Sequence, residues 1–308
     1  MKRRIVIFIV IAMIMMSCIG TAFADSEKAR DSLPEELYNE PLHHGEVHEL
    51  QYADGRRLIV WTPYNYSSST KYTVILLLHG DKGNANDWLL DEHHYGGTYD
   101  YRASTTGVAL FDRIVDEGKC RPFIVATIDA QFEIYGNGLL DDIPYAYAEI
   151  VDHFSTYAKD SSESSLIAAR DHFILGGLSR GGGYVHKFML KHPEYVNNYI
   201  CMSGTNNIYQ LVDMFKEGYE PFDKVFFCAG KEGHQYAATC ESYRALSLYF
   251  KNSMLKKYRF GHDWNTWNLG IYDAIHFMLE KEPVEIHLRI PIIFPDYGMR
   301  TYEFSLIA

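Results

Sequence analysis

Residues 172–183 read His172-Phe173-Ile174-Leu175-Gly176-Gly177-Leu178-Ser179-Arg180-Gly181-Gly182-Gly183. The run His172–Leu175 predicts a strand, and Gly181–Lys191 predicts a helix. Between them, Gly177-Leu178-Ser179-Arg180-Gly181 is G-x-S-x-G at a strand-to-helix turn, the arrangement of a nucleophile elbow. The glycines have a steric reason: the backbone reverses so sharply at the serine that side chains two residues away on either side would collide. Such a turn holds the serine Oγ above the sheet edge. The helix opening at Arg180 then aims its N–H groups at negative charge developing there. The pentapeptide alone is a weak signal; its flanking strand and helix give it content.

Outward from this turn, apolar runs alternate with segments of helical spacing. Strands are expected at Glu46–Tyr52, Arg57–Thr62, Tyr72–Leu78, Pro122–Ile128, Asn198–Met202 and Lys224–Ala229, with a last strand ending over Tyr258–Phe260. Helices are expected at Thr106–Glu117, Ala146–Tyr157, Tyr236–Lys251 and Trp264–Leu279. Tyr72–Leu78 (YTVILLL) is apolar without alternation, as a strand buried on both faces requires. The alternation predicts an α/β fold, a mostly parallel central sheet with helices on both faces. Chemistry in such sheets gathers beyond the carboxyl ends of the strands.

Two further loops stand at those ends. His79-Gly80-Asp81 follows the strand Tyr72–Leu78, and the glycine lets the chain turn over the sheet edge with the Asp81 N–H free to donate. An acyl-transfer oxyanion needs two donors, one from Asp81 and one from the Arg180 N–H. His79 reads as a residue that fixes this loop. Gly261-His262-Asp263-Trp264-Asn265-Thr266-Trp267 follows the last strand, where the chain order Ser…acid…His puts the base. Imidazole is a base of pKa near neutrality, which a weakly nucleophilic serine needs. His276 has helix-face spacing with Tyr272 and Leu279, while His43-His44 and His93-His94 lack a ligand pattern and read as solvated loop.

The 308 residues carry 29 Lys+Arg against 40 Asp+Glu, a net charge of −11. A nucleic-acid binder needs a basic phosphate-binding footprint, which is missing. Lys2, Arg3 and Arg4, the apolar stretch Ile5–Met16 and the small-x-small site Ala22-Phe23-Ala24 predict a signal peptide over residues 1–24. Its apolar core is shorter than the roughly 20 residues of a membrane span. A secreted mature chain, with no membrane association after cleavage and a net charge of −14, is therefore expected; lipid anchoring through Cys18 is the alternative. Four cysteines remain beyond it: Cys120, Cys201, Cys228 and Cys240. No C-x-x-C pair points to a metal, and Cys201 and Cys228 read as buried free thiols. A Cys228–Cys240 pair is open in an oxidising compartment.

Taken together, Tyr72–Gly80 (YTVILLLHG), Gly83-Asn84-Ala85-Asn86-Asp87-Trp88, Gly177–Gly183 (GLSRGGG) and Gly261–Trp267 (GHDWNTW) resemble the esterase D-like α/β-hydrolases, and within them the feruloyl esterase domains attached to bacterial xylanases. The resemblance runs over residues 45–283. It implies an α/β-hydrolase esterase domain at 25–284, with a C-terminal extension at 285–308 for which no role is read. It implies a serine esterase that hydrolyses feruloyl or acetyl esters on plant cell-wall xylan, the substrate being an esterified polysaccharide or a small aromatic ester. Ser179 is then the nucleophile, His262 the base, and the backbone N–H groups of Asp81 and Arg180 the oxyanion donors. The reaction calls for no metal and no organic cofactor. Arg180 departs from the family's apolar residue after the nucleophile.

The third triad member also departs. The family places an aspartate three residues after the glycine closing the next-to-last strand; here Gly230-Lys231-Glu232-Gly233-His234 puts Gly233 at that position. Glu232, adjacent and longer by one methylene, is the candidate acid, the alternative being that the acid is lost or replaced. Asp263 ranks lower, because a residue next to the base in sequence usually points elsewhere. Aromatic residues cluster at Tyr95–Tyr101 and Tyr135–Tyr147, and most of them read as filling core and loops. Trp88 and Trp264, adjoining the oxyanion and base loops, are the candidate substrate-binding aromatics. Two other functions stay open: an acyltransferase of the same fold, and a catalytically weak carbohydrate-binding relative.

Overall fold

The computed structural model describes residues 41–89, 107–206, 208–281, 285–294 and 298–307. The segment 1–24 with Cys18, the pair His93-His94 and the aromatic cluster Tyr95–Tyr101 lie outside the described residues.

Eight strands form one sheet: β1 (Glu46–Tyr52), β2 (Arg56–Thr62), β3 (Thr73–Leu78), β4 (Phe123–Ile128), β5 (Phe173–Leu178), β6 (Asn198–Met202), β7 (Phe222–Gly230) and β8 (Phe250–Tyr258). Their spatial order is β1-β2-β4-β3-β5-β6-β7-β8. β1 pairs antiparallel with β2, and β2 antiparallel with β4; every other pairing is parallel. β3, β4 and β5 are buried along their whole length. Alternate residues of β3 serve opposite cores, Val74, Leu76 and Leu78 on one face and Ile75 and Leu77 on the other. Each such side chain contributes about 1.5–3 kcal/mol when fully buried.

The helices cover both faces. They are α1 (Asn86–Leu89), α2 (Gly107–Asp116), α3 (Phe132–Tyr135), α4 (Gly138–His153), α5 (Glu163–Ala168), α6 (Arg180–Lys191), α7 (Ile208–Lys216), α8 (Tyr236–Leu246) and α9 (Trp264–Leu279). α4, α6 and α7 bury Ile143, Tyr147, Val185, Phe188 and Leu211 against one face. α2 and α9 bury Phe111, Ile114, Trp267 and Ile271 against the other. Among the described residues no helix is long and apolar enough to cross a membrane.

The expected strands and helices are present, with three differences of physical interest. α4 starts at Gly138, well before the expected Ala146, and runs through Pro144, a residue type that ordinarily breaks a helix. The helix expected over Tyr236–Lys251 ends at Leu246, and Phe250 already belongs to β8. β8 is an edge strand whose exposed and half-exposed polar residues (Lys251, Asn252, Lys256, Lys257) hide its strand character. α7 is not among the expected elements, although Leu211, Val212 and Phe215 carry its spacing.

After α9, β9 (Glu285–Phe294) and β10 (Gly298–Ile307) pair antiparallel as a separate two-stranded sheet. Cys120, Cys201, Cys228 and Cys240 are all free thiols.

Candidate active site

β5 ends at Leu178, Ser179 takes φ 52° and ψ −117°, and α6 begins at Arg180. A positive φ on a residue with a Cβ costs about 1–3 kcal/mol and persists only where the surroundings enforce it. They do so here by close packing. A Cβ on Gly177 would lie 2.6 Å from the Gly181 carbonyl carbon, and one on Gly181 would lie 2.4 Å from the His79 carbonyl oxygen. The Ser179 N–H donates to the Met202 carbonyl at 2.8 Å, tying the elbow to the end of β6. The next residues complete the cradle. Ser203 has φ 49° and donates its N–H to the Cys228 carbonyl at 2.8 Å, and a Cβ on Gly204 would lie 2.0 Å from the Ser179 carbonyl oxygen. Sequence reasoning did not single out Ser203-Gly204; the available signal was a glycine just past a buried strand.

His262 Nε2 lies 2.8 Å from Ser179 Oγ, a contact bridging 83 positions of sequence. The loop carrying it is braced on three sides. Asp263 caps α9, with Oδ1 accepting from the Thr266 N–H at 3.2 Å and Oδ2 from the Gly261 N–H at 3.1 Å. The Thr266 hydroxyl donates to the Gly261 carbonyl at 2.8 Å. Trp267 meets the imidazole edge-on, with centroids 5.1 Å apart. The Asp263 carboxylate is therefore committed to the helix cap.

No described group accepts a hydrogen bond from His262 Nδ1, which is buried. For Nε2 to accept the serine proton, Nδ1 must carry the ring hydrogen, so the reactive tautomer has no partner holding it. Glu232, the candidate acid, does not fill this place. Its side chain is exposed and makes no hydrogen bond to His262, and its N–H donates to the Phe260 carbonyl at 3.1 Å. Position 233 is the one that faces the loop carrying His262: a Cβ there would lie 3.1 Å from the His262 backbone nitrogen. One residue of register separates the two, and it turns Glu232 toward solvent. The neighbour that does reach the His262 ring is His234, with ring centroids 4.3 Å apart. Burial first, and then the His234 charge, push the His262 pKa down to about 4, with Asp263 opposing.

At the facing loop, His79 is 2% exposed. Its Nε2 accepts from the Ala130 N–H at 3.0 Å, so Nδ1 carries the hydrogen and donates to the Gly80 carbonyl at 2.7 Å. That bond shapes the turn presenting Asp81, whose N–H is engaged by no described acceptor. The Asp81 carboxylate accepts from the Arg180 guanidinium at 2.6 Å, and the guanidinium also lies 5.4 Å from the Phe132 ring centroid. The two residues expected to supply oxyanion donors are thus linked through their side chains.

Trp88 and Trp264 do not present stacking faces. They are 2% and 1% exposed and pack edge to face at 5.0 Å, and the Trp88 indole N–H donates to the Leu78 carbonyl at 3.3 Å. Both belong to the core beneath the loops, where an indole's large apolar surface contributes most. The cleft beside Ser179 has a volume of about 290 Å³ and is lined by Arg180, Tyr184, Lys187, Thr205, Asn206 and Gln235 among others. His276 sits apart on α9, with Nδ1 3.6 Å from Cys120 Sγ and Nε2 3.4 Å from Glu117. Among the described residues, no three His, Cys, Asp or Glu side chains are placed to share a metal ion.

No family model matches the chain. In sequence it is 26% identical over 156 residues to endo-1,4-beta-xylanase Y of Acetivibrio thermocellus; the match spans 48% of this chain and 13% of that protein's length. In structure it is similar to the feruloyl esterase module from Clostridium thermocellum complexed with sinapinate, with a TM-score of 0.66, 20% identity, and coverage of 83% of this chain and 99% of that one. A ferulic acid esterase from Anaeromyces mucronatus in complex with ferulic acid gives a TM-score of 0.59 at 13% identity, covering 81% and 97%. The apoenzyme of S-formylglutathione hydrolase from Staphylococcus aureus gives 0.58 at 18% identity, covering 78% and 99%. With its mostly parallel eight-stranded sheet, its helices on both faces and Ser179 at the β5–α6 turn, the chain has the α/β-hydrolase fold of the feruloyl esterase modules it resembles.

Proposed function

We propose that this protein is a secreted serine carboxylic-ester hydrolase that removes feruloyl or acetyl groups from plant cell-wall xylan through an acyl-enzyme. One observation carries the reading: Ser179 Oγ stands 2.8 Å from His262 Nε2 on an elbow of positive φ. His262 takes the Oγ proton as Oγ bonds to the ester carbonyl carbon, and the backbone N–H groups of Asp81 and Arg180 receive the oxyanion. Collapse expels the sugar hydroxyl, which leaves with the proton from His262. Water, deprotonated by the same imidazole, then adds to the acyl carbon, and Ser179 departs with its proton restored. The similarity to feruloyl esterase modules and to a xylanase supports the substrate class. The n-region, apolar core and cleavage pattern of residues 1–24 support secretion.

A substrate panel tests the reading: methyl ferulate, acetylated xylan and short 4-nitrophenyl esters. Turnover of methyl ferulate or acetylated xylan above the 4-nitrophenyl background supports it; hydrolysis of none of them overturns it. In the same panel Glu232→Ala is expected to leave turnover within about twofold, as for a solvated surface residue. A collapse of turnover with intact folding would restore the glutamate as the acid.

The base works only when neutral, and its lowered pKa keeps it neutral to more acid conditions than an ordinary histidine. The acid limb of kcat/KM is therefore expected near pH 4, with activity held above that and lost as pH falls through it. A limb near the usual histidine value would contradict the burial and the His234 contact.

A second reading, a catalytically weak carbohydrate-binding relative, is favoured by one feature, the buried Nδ1 of His262 with no acceptor among the described residues. Measured turnover of the panel esters at rates typical of esterases would set it aside.

A further inference from the structure

α6 carries Arg180, Tyr184, Lys187 and Lys191 at helical spacing, a stripe leading away from Ser179. Two of its cations are neutralised: Arg180 by Asp81 at 2.6 Å and Lys191 by Asp141 at 2.6 Å. Lys187 is not. Its Nζ donates to the neutral Asn137 Oδ1 at 3.3 Å and lies 4.4 Å from the Tyr184 ring centroid, and no described carboxylate pairs with it. The side chain borders the 290 Å³ cleft at Ser179 and a second cleft of about 220 Å³ that it shares with Asn137, Leu140 and Lys191. On the wall of the cleft that Ser179 also lines, this ammonium, with no counter-ion among the described residues, is placed to meet an anionic group of a bound molecule. Thr205, Asn206 and Gln235, lining the same cleft, add neutral hydrogen-bonding groups suited to hydroxyls.

We propose that Lys187 is the counter-ion for a carboxylate carried by the substrate, so that the cleft takes an ester of an acidic compound. This rests on the reading of Ser179 as nucleophile. The carboxylate has two chemical sources: a uronic acid near the esterified hydroxyl of a sugar chain, or the free end of a half-esterified dicarboxylic acyl group. An ammonium donating to a carboxylate in a cleft gains from both charge and hydrogen bonding, which neither Asn137 nor Tyr184 supplies.

The test is calorimetric binding to the Ser179→Ala protein in low salt, with two matched pairs. One is a glucuronic-acid-substituted xylo-oligosaccharide against the neutral oligosaccharide of equal length; the other is monomethyl succinate against methyl butyrate. The acidic member of one pair is expected to bind about tenfold more tightly, and which pair shows it identifies the source. Lys187→Gln should bring that ratio close to one, Lys187→Arg should keep it, and 0.5 M salt should shrink it. Equal affinity within both pairs, or a preference that survives Lys187→Gln, overturns the proposal. Because this readout needs no turnover, the two ideas fail separately. A Lys187-dependent preference with no hydrolysis by the wild type would sink the esterase reading alone. Hydrolysis without a preference would sink the carboxylate subsite alone.

Discussion

Gly233→Asp is expected to raise kcat by about 10²-fold, with His262 unchanged. Removing only the acid from a serine-protease triad costs about 3 × 10⁴ in kcat, which is the ceiling for what restoring it returns. The expectation is set below that ceiling because the new carboxylate must find its own geometry. The backbone permits it: Gly233 is not among the positive-φ residues, and its Cβ would sit 3.1 Å from both the Gly230 carbonyl oxygen and the backbone nitrogen of His262. Those contacts require shifts of a few tenths of an ångström. A carboxylate there would accept from the now unpartnered Nδ1, hold the reactive tautomer and favour the imidazolium that forms during attack. The acid limb of kcat/KM should rise above pH 4 in the same variant, because a nearby negative charge stabilises the protonated ring. Steady-state kinetics and the pH profile check both. No gain in a correctly folded variant would mean that Nδ1 is served by some other group.

Ser179→Ala is expected to lower kcat by only about 10²-fold in the wild-type background, and by about 10⁴-fold in the Gly233→Asp background. Triad members act as a unit: losing the whole triad costs about 2 × 10⁶, against about 3 × 10⁴ for the acid alone. With no acid at His262 among the described residues, correspondingly less is expected to be lost at the serine. Equal losses in the two backgrounds would show that Gly233→Asp does not connect to His262.

How much of this was legible in the chain follows from the kind of constraint involved. The elbow, the Asp81 turn and the base loop are each written as glycines at strand ends, where backbone crowding leaves little freedom. Those positions read directly, and the structure brings Ser179 and His262 together across 83 residues. The acid does not yield to the same reasoning. Whether Glu232 or position 233 faces His262 depends on one residue of register after β7, which only the hydrogen bond from the Glu232 N–H to Phe260 reveals. Trp88 and Trp264 illustrate another limit: residue type announces a large amphipathic ring but not which side of the loop it occupies, and both lie inside. The β8 edge strand was obscured by its lysines and the start of α4 by Pro144, since local signals there oppose a choice made by tertiary packing.

The central claim is that Ser179 is a nucleophile activated by His262. Reaction with a fluorophosphonate, read by intact mass and peptide mapping, addresses it without any assumption about substrate. One adduct per chain on the peptide carrying Ser179, suppressed in His262→Ala, is the predicted result. No adduct in the folded protein, or one on a different residue such as Ser203, would contradict it.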